Sequence, residues 1–215
     1  MQSVRAWRNP ITLLVLMSVA MPLAFNTWSA LLNNFAVEQA AFTGVEIGIL
    51  QSLREVPGFL SFTVIFVLLI LKEQTFAVLS LALLGLGVAM TGFFPSEYGL
   101  YFTTVLMSIG FHYFEAIKQS LSLQWLSKDE APQVLGRLIA VGSVTSLIVY
   151  GVLWVLLEVF AFSFMWNLAL AGGLCCLLAL LMWLNFPHFP SKTAQHKTLV
   201  LRRRYWLYYL LCFLS

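Results

Sequence analysis

Residues 162–186 read FSFMWNLALAGGLCCLLALLMWLNF and contain no Asp, Glu, Lys or Arg. An α-helix rises about 1.5 Å per residue, so a run of this length crosses the ~30 Å hydrocarbon layer of a bilayer. A surface helix of a soluble protein carries a polar face, which this stretch lacks. Comparable apolar runs recur along the chain. The stretch therefore predicts a membrane-spanning helix, and its recurrence predicts a bundle of such helices.

The composition leads to the same conclusion, because 60% of the 215 residues are hydrophobic and only 10% are charged. Soluble domains carry about 25% charged residues, so a water-soluble globular fold is excluded. The apolar runs predict an all-α polytopic bundle, in which residues 1–186 form a six-helix half-bundle. Its predicted transmembrane helices cover residues 11–33, 44–71, 75–94, 98–126, 136–157 and 162–186. A basic cytoplasmic linker at 187–204 and the start of a seventh transmembrane helix at 205–215 follow.

Positive charges are distributed unevenly between the two sides of the predicted bundle. All Lys and Arg residues lie on the side of the N-terminus, except Arg54 and Lys118, which fall within predicted helices. The loops on the other side carry acidic residues instead, namely Glu38, Glu97 and Glu158. Short basic loops resist translocation across the membrane. The sequence therefore predicts a multi-pass protein of the cell inner membrane with a cytoplasmic N-terminus.

Polar side chains are concentrated on four of the six predicted helices. Those of helix four recur every three or four residues and share one face: Ser108, His112, Glu115, Gln119 and Ser122. Helix one has such a face around Asn26, helix two has one around Gln51 and Glu55, and helix five has a milder one with Ser143 and Ser146. Polar groups are costly inside a membrane and mark functional paths. We expect these four helices to enclose a solute path, with helices three and six facing lipid.

The polarity pattern also repeats after three helices. Helix one resembles helix four, helix two resembles helix five, and helix three resembles helix six. Since three spans separate the members of each pair, the two members run in opposite directions. This pattern predicts an inverted three-plus-three repeat, which is a common arrangement in transporters.

Four charged residues fall within the predicted helices and sum to zero: Arg54, Glu55, Glu115 and Lys118. Glu115 and Lys118 lie three residues apart and can pair on one helix. Arg54 and Glu55 point about 100° apart, so we expect them to have different partners, with Arg54 able to reach Glu115. One interpretation is a buried charge network that fixes helix packing. The other is that Glu115, with His112 one turn away, binds a substrate group or a proton.

The predicted substrate or proton path contains eight residues: Asn26, Gln51, Arg54, Glu55, His112, Glu115, Lys118 and Gln119. His112 has a second interpretation as a hydrogen-bonded packing residue. Trp28 lies near a predicted helix end and is interpreted as an interfacial anchor, with contact to a substrate as the alternative. The cysteines Cys175, Cys176 and Cys212 lie in apolar runs and are interpreted as packing residues.

The layout of six spans, a basic connection and the start of a seventh resembles the N-terminal half of a major facilitator superfamily transporter. Weak local motifs support it, namely TGVEIG at residues 43–48 and QWLSKDE at residues 124–130 before Gly136-Arg137. The loop LKEQT at residues 71–75 lacks that family's glycine- and arginine-rich motif. The resemblance implies that helices one and four line a central cavity, and that two such halves rock to give alternating access.

This resemblance makes a secondary active transporter, which moves a small solute by alternating access coupled to an ion, the expected function. The expected partners are that solute, the lipid bilayer and a missing C-terminal half, because we expect the chain to be truncated; no nucleic acid is expected. The alternatives are a membrane-embedded enzyme using His112 and Glu115, or a non-transporting scaffold. The sequence contains no His-Glu-x-x-His or Gly-x-Ser-x-Gly motif, so we expect no enzyme, catalytic residue, cofactor or metal.

Overall fold

A computed structural model describes residues 7–190, 203–207 and 210–211 of the chain. The described residues form an all-α bundle, as the sequence predicts. Its helices are α1 (Pro10–Ala40), α2 (Gly44–Phe59), α3 (Glu73–Thr91), α4 (Glu97–Trp125), α5 (Ala131–Trp154) and α6 (Phe164–Asn185). Helix α2 continues through a 3-10 turn (Leu60–Thr63) into a short α-helical segment (Val64–Leu68), and α5 continues into a π-helical turn (Val155–Val159).

Local capping explains where several helices begin. The Asn9 side chain accepts a hydrogen bond from the Thr12 amide at 2.9 Å, just before Pro10 starts α1. At the start of α2, Thr43 and Glu46 form a capping box in which each side chain binds the other's backbone. These side chains satisfy amides that the first helical turn leaves without a partner.

The first helix is longer than the predicted range of 11–33. It passes through Asn33 and Asn34 without a break and ends at Ala40, followed by Ala41 with a positive φ of 53°. Both asparagines are exposed, whereas Phe35 and Ala36 after them are buried and extend the packed face of α1. Packing of the next turn therefore overrides the weak helix propensity of the asparagine pair.

The packing of the helices follows the predicted inverted repeat. Helix α1 packs on α5 and α6, α4 packs on α2 and α3, and α3 packs on α6. Exchanging α1 with α4, α2 with α5 and α3 with α6 converts the α1–α5 contact into the α4–α2 contact, and the α1–α6 contact into the α4–α3 contact. Both members of these two exchanged pairs are present, so these contacts have the symmetry of a three-plus-three repeat, whereas the α1–α3 contact has no comparable α4–α6 counterpart among the described residues.

Helix α3 exposes only a narrow apolar stripe, which includes Leu79 and Leu86, and is more buried than predicted. It packs against α4, α6 and α1, and its apolar window is the most buried of the four helices that are apolar enough to cross a membrane. Helix α6 keeps one exposed apolar face, formed by Leu174, Leu177, Leu181 and Leu184. The prediction holds only in part for α3 because an apolar helix can contact either lipid or other apolar helices, and its sequence alone does not distinguish them.

Glycines explain how closely α3 approaches its neighbours. A methyl group placed on Gly172 of α6 would lie 2.3 Å from the carbonyl oxygen of Gly85, and one placed on Gly110 of α4 would lie 2.3 Å from the amide nitrogen of Leu84. Such contacts leave no room for a side chain. Small residues at helix contacts let backbones pack closely, which stabilises membrane helix bundles in place of the hydrophobic effect.

Four helices among the described residues are long and apolar enough to cross a membrane: Pro10–Ala40, Glu73–Thr91, Ala131–Val159 and Phe164–Asn185. The other two long helical segments, α2 with its extension and α4, carry the intramembrane charges. This difference between four strongly apolar helices and two charged ones agrees with the uneven distribution of polar residues in the sequence.

The segment after α6 is fixed to the end of the bundle. The Gln74 side chain donates a hydrogen bond to the Pro187 carbonyl at 2.9 Å and accepts one from the Phe189 amide at 3.0 Å. The Phe189 ring also meets the Trp125 ring edge-on at 5.6 Å. Most of the predicted linker and seventh helix lies outside the described residues.

Candidate functional site

A cavity of about 570 Å³ lies between α1, α4 and α5. Its lining contains four of the predicted path residues: Asn26, Glu115, Lys118 and Gln119. Four serines also line it, namely Ser18, Ser122, Ser143 and Ser146. The polar faces of these three helices therefore meet around one space.

An acidic and a basic side chain lie together on the α4 wall of this cavity. The Lys118 ammonium is 4.0 Å from the Glu115 carboxylate, which is beyond hydrogen-bond length. The Lys118 side chain is 19% exposed and Glu115 is 45% exposed. The Lys118 ammonium also lies 5.8 Å from the centre of the Phe114 ring. The pair is thus loose, and its carboxylate is open to the cavity.

Aromatic rings and a cross-helix hydrogen bond form the part of the cavity near the middle of α1. The Phe25 and Phe111 rings stack with their centres 4.2 Å apart and their planes 14° apart. The Asn26 amide beside them donates a hydrogen bond to the Ser146 hydroxyl at 2.7 Å, which joins α1 to α5. This end of the cavity therefore combines an apolar wall with a fixed amide.

The other predicted path residues form a separate cluster between α2 and α4. Arg54 donates two hydrogen bonds to Glu55, at 2.9 and 2.5 Å, so the expectation that these neighbours have different partners is wrong. Their long side chains bend toward each other at the exposed surface of α2, where Glu55 is 59% exposed. The Ser108 hydroxyl donates to the Arg54 carbonyl. Gln51 is half-buried on α2 and does not line the cavity.

His112 belongs to this second cluster rather than to the cavity. Its Nε2 atom is 4.0 Å from the Glu55 carboxylate, and its ring packs against Gly58 of α2. A methyl group on Gly58 would lie 2.7 Å from that ring. Although His112 and Glu115 are one turn apart on α4, the structure places them toward different neighbours. The predicted single network is therefore two groups on adjacent parts of the α4 surface, one facing α2 and the other facing the cavity.

Sequence reasoning missed the aromatic wall and misplaced a tryptophan. Phe25 and Phe111 each precede a predicted path residue, but nothing in the spacing of aromatic residues separates them from packing residues. Trp28 is fully buried in the core and is not at a membrane interface, because α1 extends three turns beyond it. Its indole nitrogen has no hydrogen-bond partner.

Comparison with known proteins gives one structural relative. No protein-family model matches the chain. No curated protein matches it either. The crystal structure of the POT family transporter PepTSo superposes with a TM-score of 0.64 at 15% sequence identity, over 88% of this chain. The chain spans 40% of the length of that transporter. This likeness and the apolar helices identify a multi-pass membrane protein whose helical bundle has the fold of part of a transporter.

Proposed function

We propose that the chain is the N-terminal half of a secondary active transporter of the major facilitator type, which moves a small solute by alternating access coupled to an ion. The proposal places it in the cell inner membrane with a cytoplasmic N-terminus. It rests chiefly on one observation, the loosely paired Glu115 and Lys118 in a cavity between α1, α4 and α5.

The geometry of this pair favours a binding role over a packing role. A charge pair that only fixes packing gains most when it is buried and in hydrogen-bond contact. Glu115 and Lys118 are instead 4.0 Å apart, and Glu115 is nearly half exposed. Charged groups within membrane helices are costly, and those that border a cavity commonly serve transport paths. Glu115 is therefore the residue that we assign to solute or proton binding.

The second half of the proposed transporter would cover the exposed side of α5. This helix is the least buried of the four apolar ones, and its exposed side chains include Val144, Leu147 and Ile148. The chain also spans well under half of the transporter that it resembles in fold. A C-terminal half packed against α5 would complete the wall of the cavity.

Solute screening followed by uptake tests this function. The chain is purified together with the proposed C-terminal half, and a panel of small solutes is screened for those that raise the melting temperature of the protein. Each such solute is then measured for uptake into proteoliposomes under an imposed proton or sodium gradient. We expect Glu115→Gln to abolish coupled uptake, and Glu38→Gln, at the exposed end of α1, to preserve it. Unchanged uptake and pH dependence in Glu115→Gln would exclude the assigned role.

A cysteine-accessibility measurement tests the path itself. In a background without native cysteines, Gln119→Cys and Ser143→Cys place thiols on the cavity wall, whereas Leu177→Cys and Leu184→Cys place them on the exposed face of α6. We expect a charged, water-soluble maleimide to label the first pair and to leave the second pair unlabelled in membranes. The reverse pattern would refute a watery route between α1, α4 and α5.

A further inference from the structure

A proline in the middle of α1 leaves a backbone oxygen without its helical partner. In an α-helix each carbonyl accepts a hydrogen bond from the amide four residues later. Pro22 lies inside α1 and has no amide hydrogen, so the carbonyl of Ser18 loses that bond. Such freed carbonyls are tolerated in membrane proteins where they border a cavity or meet another partner.

The side chain of the same residue is also without a partner. Ser18 is 1% exposed, and its hydroxyl makes no hydrogen bond. Ser18 borders the cavity between α1, α4 and α5. A buried polar group without a partner commonly marks a bound water or ion. Ser18 thus has a buried hydroxyl without a partner and a carbonyl freed by Pro22, and the residue borders the cavity.

Helix α5 has a glycine, and no side chain, opposite the Ser18 carbonyl. A methyl group placed on Gly142 would lie 3.7 Å from the Ser18 carbonyl oxygen and 3.9 Å from Pro22 Cγ. Gly142 therefore comes near the carbonyl without filling the gap with a side chain. Ser143, the next residue, and the Glu115 carboxylate border the same cavity and supply further oxygen atoms.

We propose that α1 binds a sodium ion beside Pro22 through the carbonyl and hydroxyl oxygens of Ser18, with Ser143 and Glu115 as the further oxygen ligands. Backbone carbonyls freed from helical hydrogen bonds coordinate sodium in transporters with unwound helices, and Pro22 frees one such carbonyl within the continuous α1. Calcium and magnesium require more carboxylate charge than this cavity offers, since Lys118 lies beside its acidic group. The neutral oxygens of Ser18 and Ser143, with one carboxylate whose charge Lys118 partly offsets, suit a monovalent cation.

Sodium-dependent stability and direct binding test the site on the purified chain. Melting temperature is measured against increasing sodium chloride, with choline chloride keeping the ionic strength constant and potassium chloride as the competing cation. Equilibrium dialysis with radioactive sodium gives the binding directly. We expect a saturable rise in melting temperature with sodium, as for any ligand that binds only the folded state. Equal effects of sodium, potassium and choline would overturn the proposal.

Two variants separate the two oxygens of Ser18. Ser18→Ala removes the hydroxyl, and Pro22→Ala gives the Ser18 carbonyl an amide partner while leaving every side-chain oxygen in place. We expect each to weaken sodium binding about tenfold, the usual effect of losing one ligand contact. Pro57→Ala makes the same change in α2, away from the cavity, and serves as the control. Unchanged binding in both Ser18→Ala and Pro22→Ala would show that the site holds water instead.

The proposal concerns the cavity assigned to transport, but its test uses sodium binding without any solute. Sodium binding without solute uptake would support this site and count against the transport function. Uptake without sodium binding would overturn only the sodium site.

Discussion

The glycine pair between α3 and α6 leads to a sharp prediction about packing. Gly172 and Gly173 are neighbours on α6, but only Gly172 faces α3. A methyl group on Gly172 would lie 2.3 Å from the Gly85 carbonyl oxygen and 2.4 Å from the Ala89 amide nitrogen, whereas one on Gly173 meets nothing within 4 Å. Ordinary contacts of a methyl group lie at 3.4–4 Å. Gly172→Ala must therefore push the two helices apart by about 1 Å, since both clashing groups are backbone atoms.

The expected cost follows from these distances. Overpacking a close contact costs about 1–3 kcal/mol, and replacing a helical glycine by alanine returns about 0.5–1 kcal/mol in helix propensity. We expect Gly172→Ala to lose about 1–2 kcal/mol of stability, and Gly173→Ala to be neutral or slightly stabilised. The two variants differ by the overpacking cost of about 1–3 kcal/mol, which corresponds to a change of about 5- to 150-fold in the unfolding equilibrium.

The assay compares the two variants in mixed micelles. Unfolding by sodium dodecyl sulfate is followed by far-ultraviolet circular dichroism, and thermal stability is followed by size-exclusion chromatography of a fluorescent fusion. A Gly85→Ala variant probes the facing position, where the methyl would lie 2.8 Å from the Gly172 carbonyl oxygen. Equal stability of Gly172→Ala and Gly173→Ala would refute the close α3–α6 contact.

Two further predictions concern hydrogen bonds that join distant parts of the chain. Asn26→Leu removes the 2.7 Å bond to Ser146 and should cost about 1 kcal/mol, and a double-mutant cycle with Ser146→Ala should give a coupling near 0.6 kcal/mol in the same unfolding assay. Gln74→Leu removes both bonds to Pro187 and Phe189, so trypsin should cleave the basic segment after α6 faster than in the unaltered chain. An unchanged cleavage rate would show that Gln74 does not fix this segment.

Much of the fold follows from the sequence because lipid imposes strong constraints. Charge-free runs such as 162–186 have few alternatives to a spanning helix, and the helices appear in the predicted order. The spacing of polar residues on α4 also predicted which side of this helix meets the cavity at Glu115 and Gln119. These features depend on the spacing of residues within a single helix, and that spacing can be read directly from the sequence.

Contacts between helices were less predictable. The burial of α3 depends on glycines that let its backbone approach α4 and α6 closely. The apolar sequence of α3 does not indicate which helix it contacts. His112 and Glu115 lie about 60° apart around α4, and their contacts differ because His112 meets α2 whereas Glu115 borders the cavity. The pairing of Arg54 with Glu55 arises from side-chain bending, which the angle between successive helical residues does not include.

The division of the bundle into four strongly apolar helices and two charged ones has a consequence for biogenesis. Each charged residue near the centre of a helix costs about 2.5–3.5 kcal/mol when the translocon releases that helix alone. Helix α4 leaves the ribosome after its main partner α3, whereas α2 packs mainly on α4, which is synthesised later. We therefore expect α2 to settle in the bilayer only once α4 has arrived, so that the order of insertion differs from the order of synthesis.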